Sequence, residues 1–249
     1  MKRIRKVLIT LLIIIAAAAG ILLYVQYDNI TALIHGLSAS SEDLATEMDD
    51  NREKLKTEVE KYTSGTINDM TAEDEEKLLS GEITIEDVAE KYNLPLEYMT
   101  YEDIDAIKST GNNSSTSTTT APGTSAVDAS VNTKAIDAAI SDGVSKMYAL
   151  KAKYVNKLGE LEREVIKEYT SIPKEKQNED SKYSIVMGNV NYVAELEQKC
   201  DSEVAKVLST LETELKKLKG DTEIIQILQD AYQSEKEVKK SYYLSLYKN

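Results

Sequence analysis

The side chains best able to do chemistry in this chain are few. His35 is the only histidine and Cys200 the only cysteine. Zinc sites and His-based triads need several such groups converging, and no second His and no Cys lies near His35 in sequence. His35 therefore reads as a partly exposed helix residue. Cys200 falls on an apolar stripe, where a free thiol acts as a small hydrophobe. A lone thiol forms no internal disulfide, although in an oxidising exterior it could link two chains. The acidic runs Glu47-Met48-Asp49-Asp50 and Glu73-Asp74-Glu75-Glu76 lack the loop spacing and central glycine of a calcium-binding hand. They read as helix caps and solvated faces. No phosphate-binding GxxxxGK[ST] loop, GxSxG elbow or HExxH helix occurs. A glycosidase-type carboxylate pair would need a concave, contact-lined site, and the pattern offers none. The sequence thus gives no catalytic, cofactor-binding or metal-binding residue and points to a non-enzymatic protein.

The charge distribution narrows the partners. The 249 residues carry a net charge of −13. Residues 26–108 hold 22 acidic and 7 basic side chains, whereas residues 134–249 hold 20 and 19. An acidic body repels phosphate backbones, which argues against nucleic acid. The stretch from Ile83 to Pro95 has the look of the first helix of a helix-turn-helix. Its would-be second helix presents Glu97, Glu102, Asp103 and Asp105, the wrong sign for a DNA groove.

The elements that position these residues follow from periodicity. Val7 to Val25 is an uncharged run of 19 residues preceded by Lys2, Arg3, Arg5 and Lys6. As a helix it spans roughly 28 Å, the thickness of a hydrocarbon core. The basic flank predicts a cytoplasmic stub at 1–6, a lipid-embedded helix at 7–25 and an extracytoplasmic body. Tyr24 and Tyr27 suit the interfacial belt. A cleaved signal peptide is the competing reading, with Ala16 to Ala19 as the small-residue site. The apolar run continues beyond that site, which favours an uncleaved anchor. Ala16 and Gly20 also form a small-xxx-small pair, a weak signal for pairing of membrane helices.

Residues 26–70 carry a heptad-like seam: Ile30, Ile34, Leu37, Ser41, Leu44, Met48, Asn51, Leu55, Glu58, Tyr62. Seven of the ten positions are apolar, which predicts an amphipathic helix. It either packs on its own chain or forms a parallel coiled coil with Asn51 setting register. Ser38 to Ser41 followed by Asp43 predicts a helix start. Residues 71–108 read as a small helical cluster. Thr71 with Asp74 and Thr84 with Asp87 are its caps, Gly81 is a stop, and a further short helix is predicted from Tyr101 to Ile107. Ser109 to Thr133 is a Ser/Thr/Gly/Asn-rich segment with too little apolar surface to fold, hence a flexible linker.

Residues 134–249 show three apolar stripes. The first runs through Ile140, Val144, Met147, Tyr154, Leu158, Leu161, Val165 and Ile172, interrupted by Lys151 and Glu168. The second runs from Val193 through Leu196, Cys200, Val204, Val207, Leu211 and Leu215 to Leu218, ending at Gly220. The third carries Ile224, Ile225, Leu228, Tyr232, Val238, Tyr242 and Leu246. These predict a three-helix antiparallel bundle, its second and third helices joined by a tight turn. The fold class is all-α. With no Phe and no Trp, helices must pack through Leu, Ile, Val and Tyr. The Lys/Glu/Ile/Asn-rich composition suits a bacterial envelope protein. The role expected is a membrane-anchored scaffold or interaction module that meets a protein partner or a second copy of itself through its stripes. The alternative is a sensory or regulatory subunit with a ligand- or partner-binding bundle.

Overall fold

A computed structural model describes residues 39–65, 68–100 and 129–245. The predicted membrane span, His35, the helix expected at 101–107 and Leu246 lie outside the described residues. No described helix is long and apolar enough to cross a membrane. The described residues contain helices and turns and no strand, so the all-α class holds.

Helix α1 spans Ser41–Val59. Ser40 caps it: its hydroxyl accepts from the Asp43 amide at 3.1 Å, and the Asp43 carboxylate accepts from the Ser40 amide at 3.3 Å. This reciprocal pairing satisfies two amides that a helix start leaves bare. Helix α2 spans Ala72–Ser80 and α3 spans Ile85–Tyr92. Thr71 and Thr84 are their N-caps, as their spacing to Asp74 and Asp87 predicts. Gly81 ends α2 at φ +79°, a left-handed conformation that costs glycine nothing. A 3-10 turn follows at Leu96–Tyr98, directly after Pro95.

Helix α4 spans Ala129–Ser171 and α5 spans Glu179–Leu218, joined through Pro173 and a 3-10 turn at Lys174–Lys176. At 43 and 40 residues they are roughly 60 Å long. Both begin earlier than their stripes. α4 starts inside the segment 109–133 read as flexible, because extending an existing helix costs far less than nucleating one. α5 starts at a cap the stripe does not show: Asn178 accepts from the Ser181 amide at 2.9 Å. Helix α6 spans Glu223–Ser245. The left-handed residue before it is Lys219, at φ 55°, and not Gly220. At Gly220 a Cβ would sit tightly, 3.2 Å from the side chains of Ile136 and Leu215.

α4 and α5 pack antiparallel along much of their length, and α6 lies chiefly along α1. The seam read in α1 is the face that does this: Leu44 is buried, Met48, Asn51 and Leu55 are half-buried, and the Asn51 amide donates to the Ser234 hydroxyl at 3.1 Å. Within this structure the seam meets its own chain. α2 and α3 pack on α4. The approach of α2 is close enough that a Cβ on Gly159 would lie 2.2 Å from the Leu79 carbonyl oxygen. The three distal stripes therefore do not only bury one another. One apolar core draws Val59, Leu78 and Val88 from the N-terminal side and Leu150, Leu211 and Leu228 from the distal helices. A second, smaller cluster of Leu161, Val165, Tyr169 and Ile185 comes from α4 and α5 alone.

Candidate functional site: a buried charge network and a polar cleft

Six charged side chains meet where α1, α2, α4 and α6 converge. α1 contributes Arg52, one position beyond the seam residue Asn51. Asp69 comes from the chain before α2, and Glu75 from the first turn of α2. α4 contributes Lys151, and α6 contributes Glu235 and Lys239, one turn apart. Arg52 Nη2 lies 2.7 Å from Glu75 Oε2, and Arg52 Nε lies 3.7 Å from Asp69 Oδ2. Lys151 Nζ reaches Asp69 Oδ1 at 3.0 Å, Glu235 Oε1 at 2.7 Å and Glu75 Oε2 at 3.8 Å. Lys239 bonds Glu75 and lies 3.4 Å from Glu235. The side chains are only 11% to 22% exposed, so their charges are poorly screened by water. Three cations face three anions, and the network is neutral.

The electrostatics follow from burial working against pairing. Burial alone would depress the Lys151 ammonium, but Glu235, Asp69 and Glu75 outweigh it and hold its pKa above the usual value. Burial would raise Glu75 and Glu235, yet Lys239 and Lys151 keep both below the usual carboxylate range. At Asp69 burial wins over Lys151, and its pKa is raised. Arg52 Nε and Glu235 Oε1 are buried without a well-aligned hydrogen bond. Their 3.7 Å and 2.7 Å contacts are charge pairing more than directed bonding. Each carboxylate has a cation beside it. Such a set holds helices in register; it presents no poised base.

Sequence reasoning treated Lys151 as a stripe interruption and Glu73–Glu76 as a solvated run. In the structure Glu73 pairs with Lys77 at the surface, while Asp74 and Glu75 turn inward. A signal was present: Lys151 and Glu235 are opposite charges set among stripe residues of two different helices.

Asp74 anchors α2 to α3. It is 5% exposed and accepts from Lys91 Nζ at 2.6 Å and from the Tyr92 hydroxyl. The Lys91 bond and then the Tyr92 bond hold its pKa down at about 2. Cys200 sits half-buried beside Tyr232, whose hydroxyl lies 3.4 Å from its sulfur and donates to Asp201. Lys236 closes on Asp201 at 2.8 Å. Burial pushes the Cys200 thiol up to about 11, so at neutral pH it is a protonated and poor nucleophile. Glu162, 8% exposed on α4, is raised by burial to about 7.

A cleft of about 410 Å³ opens between the 3-10 turn, α4 and α5. Gly143, Val207 and Leu211 contribute apolar surface to it. Its rim mixes signs: Lys146, Lys199 and Lys206 stand near Glu97, Asp142 and Glu214. Lys153 and Glu203 pair across it at 2.8 Å. Among the described residues no group of three or more His, Cys, Asp or Glu is placed to hold a metal ion. No family model matches the chain, and neither does any curated protein or solved structure.

Proposed function

We propose that this chain is a membrane-anchored, extracytoplasmic helical scaffold that presents the α4–α5 hairpin to a protein partner. The observation that carries this reading is the second cluster of Leu161, Val165, Tyr169 and Ile185, drawn from α4 and α5 alone. A hairpin that holds its own end together can project from a body without unravelling. Tyr183 stands 57% exposed near that end, in a stretch that also carries Asp180 and Lys182. Exposed aromatics of this kind are favoured at interfaces. The anchor supporting the reading is Val7 to Val25 with its basic flank. A photo-crosslinking residue at Tyr183, in intact cells, is expected to give a discrete protein adduct. Adducts from the α1 surface but none from the hairpin end would overturn the assignment of the hairpin.

The cleft favours a second reading, a regulatory subunit whose bundle binds a small ligand. Its volume lies within the range of small-molecule sites, roughly 300–1,000 Å³. Its balanced rim suits a zwitterion or a short peptide of mixed charge. Lys206→Glu would reverse one exposed charge on the rim without touching the helix packing. Under this reading that variant loses ligand-dependent signalling and keeps hairpin crosslinking. Under the scaffold reading it keeps both partner and phenotype.

A further inference from the structure

The cleft between the 3-10 turn, α4 and α5 has a direction. The two helices run antiparallel, and two contacts fix their register there: Leu211 against Gly143, and Lys153 with Glu203 at 2.8 Å. Asp142 and Glu214 therefore stand toward one end, and Lys199 and Lys206 toward the other. Lys146 bonds Asp142 and lies 5.3 Å from the centre of the Tyr98 ring. With Asp142, Lys146 and Glu214, the first end has one negative charge in excess. With Lys153, Lys199, Lys206 and Glu203, the second has two positive charges in excess. Glu97 on the turn balances the sum. Between the ends the floor is apolar, with Leu150, Val207 and Leu211 buried.

Lys206 and Glu214 are separated by roughly 12 Å along the axis of α5. An extended chain advances about 3.3–3.6 Å per residue, so three or four residues cover that distance. A single amino acid holds its two charges much closer together and reaches one end only. Two hydroxyls suit a peptide backbone between the ends. Thr210 donates to the Lys206 carbonyl at 2.8 Å and Thr100 to the Glu97 carbonyl at 3.4 Å, which leaves both oxygens open to accept from a ligand N–H. A volume of about 410 Å³ is toward the small end of ligand sites and restricts the side chains to small ones. We propose that the cleft binds a free peptide of three or four small residues in one direction, its ammonium end at Asp142 and Glu214 and its carboxylate end at Lys199 and Lys206. This peptide specificity rests on the ligand-binding reading of the cleft.

The test is calorimetric titration of the full chain with tetra-alanine, its N-acetyl and C-amide forms, and free alanine. Tetra-alanine is expected to bind saturably. Capping either terminus removes a charge-assisted contact and should weaken binding at least about tenfold. Lys206→Glu and Glu214→Lys, both at exposed positions of α5, should each weaken tetra-alanine by at least about tenfold as well. The capped forms tell the ends apart. The C-amide should be insensitive to Lys206→Glu, and the N-acetyl form insensitive to Glu214→Lys; the reverse pattern would overturn the direction. Capped forms that bind as tightly as the free peptide, variants without effect, or no binding up to about 10 mM would overturn the peptide site. Free alanine binding as tightly as tetra-alanine would overturn it too, while leaving the cleft a site for a small zwitterion. The ligand-binding reading fails separately, through Lys206→Glu leaving ligand-dependent signalling intact.

Discussion

The α4–α5 pair and the joint of α1, α2 and α6 hold helices together by different means. The pair is mainly apolar, with the Lys153–Glu203 ion pair set into it: Val204, Val207, Leu208, Leu211 and Leu215 are all buried on one face of α5. Such a surface tolerates sliding and repacking, because apolar contact is not directional. The joint combines an apolar fringe with six buried charges, each of which needs its particular partners. Apolar burial supplies most of the stability, while the charge network fixes which helix meets which and in what register. A change to the pair should therefore lower stability in proportion to the volume lost. A change to the joint should depend on whether a charge is left alone.

The largest effect is expected at the joint. Lys151→Ala takes the nearest cation from Asp69 and Glu235, leaves the buried network with one negative charge in excess, and should cost about 3–5 kcal/mol in urea denaturation. Replacing Lys151 and Glu235 together by Met and Leu should cost far less, and an equal loss for both variants would break the contrast. In the pair, Leu211→Ala should cost about 2–5 kcal/mol, since Leu211 is 2% exposed and meets Gly143. Gly159→Ala puts a methyl into the Leu79 carbonyl and should cost about 1–3 kcal/mol by pushing α2 off α4. Acid should act on the α2–α3 side through Asp74. Its folded pKa of about 2 lies below an unfolded value near 4. Its contribution is thus complete above pH ~4 and is lost as pH falls toward ~2. Asp74→Asn should flatten that part of the stability profile. Glu212→Ala is the smallest: Glu212 pairs with Lys216 at the surface, and the change should stay within about 0.5 kcal/mol.

The same contrast explains what the sequence made legible. Apolar stripes reveal helices directly, so α4, α5 and α6 and the buried Ile140, Val144, Leu211 and Leu228 could be read from spacing, whereas Tyr148, Leu150 and Val155 are buried off the stripe read in α4. Caps are local, so Ser40 with Asp43 and Thr84 with Asp87 were visible too. The start of α5 was missed because Asn178 and Ser181 lie in a polar run with no stripe beside them. The partner of the α1 seam was not legible either. Periodicity shows that a face is buried but not what covers it, and α6 lies more than 160 positions downstream of α1. The charge network was hidden for the same reason. Glu75 and Lys239 are ordinary charged residues in their own helices and become a pair only when α2 meets α6. The predicted anchor is legible in the sequence and falls outside the described residues.

The most direct test of this account is a double-mutant cycle between Asp69 and Lys151, which lie on opposite sides of the segment 101–128 and 3.0 Å apart. Asp69→Asn, Lys151→Met and their combination would be compared by urea denaturation of the full chain. Direct contact within a buried network predicts a coupling energy of about 1–3 kcal/mol. Additive effects within about 0.3–0.5 kcal/mol would show that the two regions do not meet at this site, and would contradict the packing of the N-terminal helices on α4 and α6.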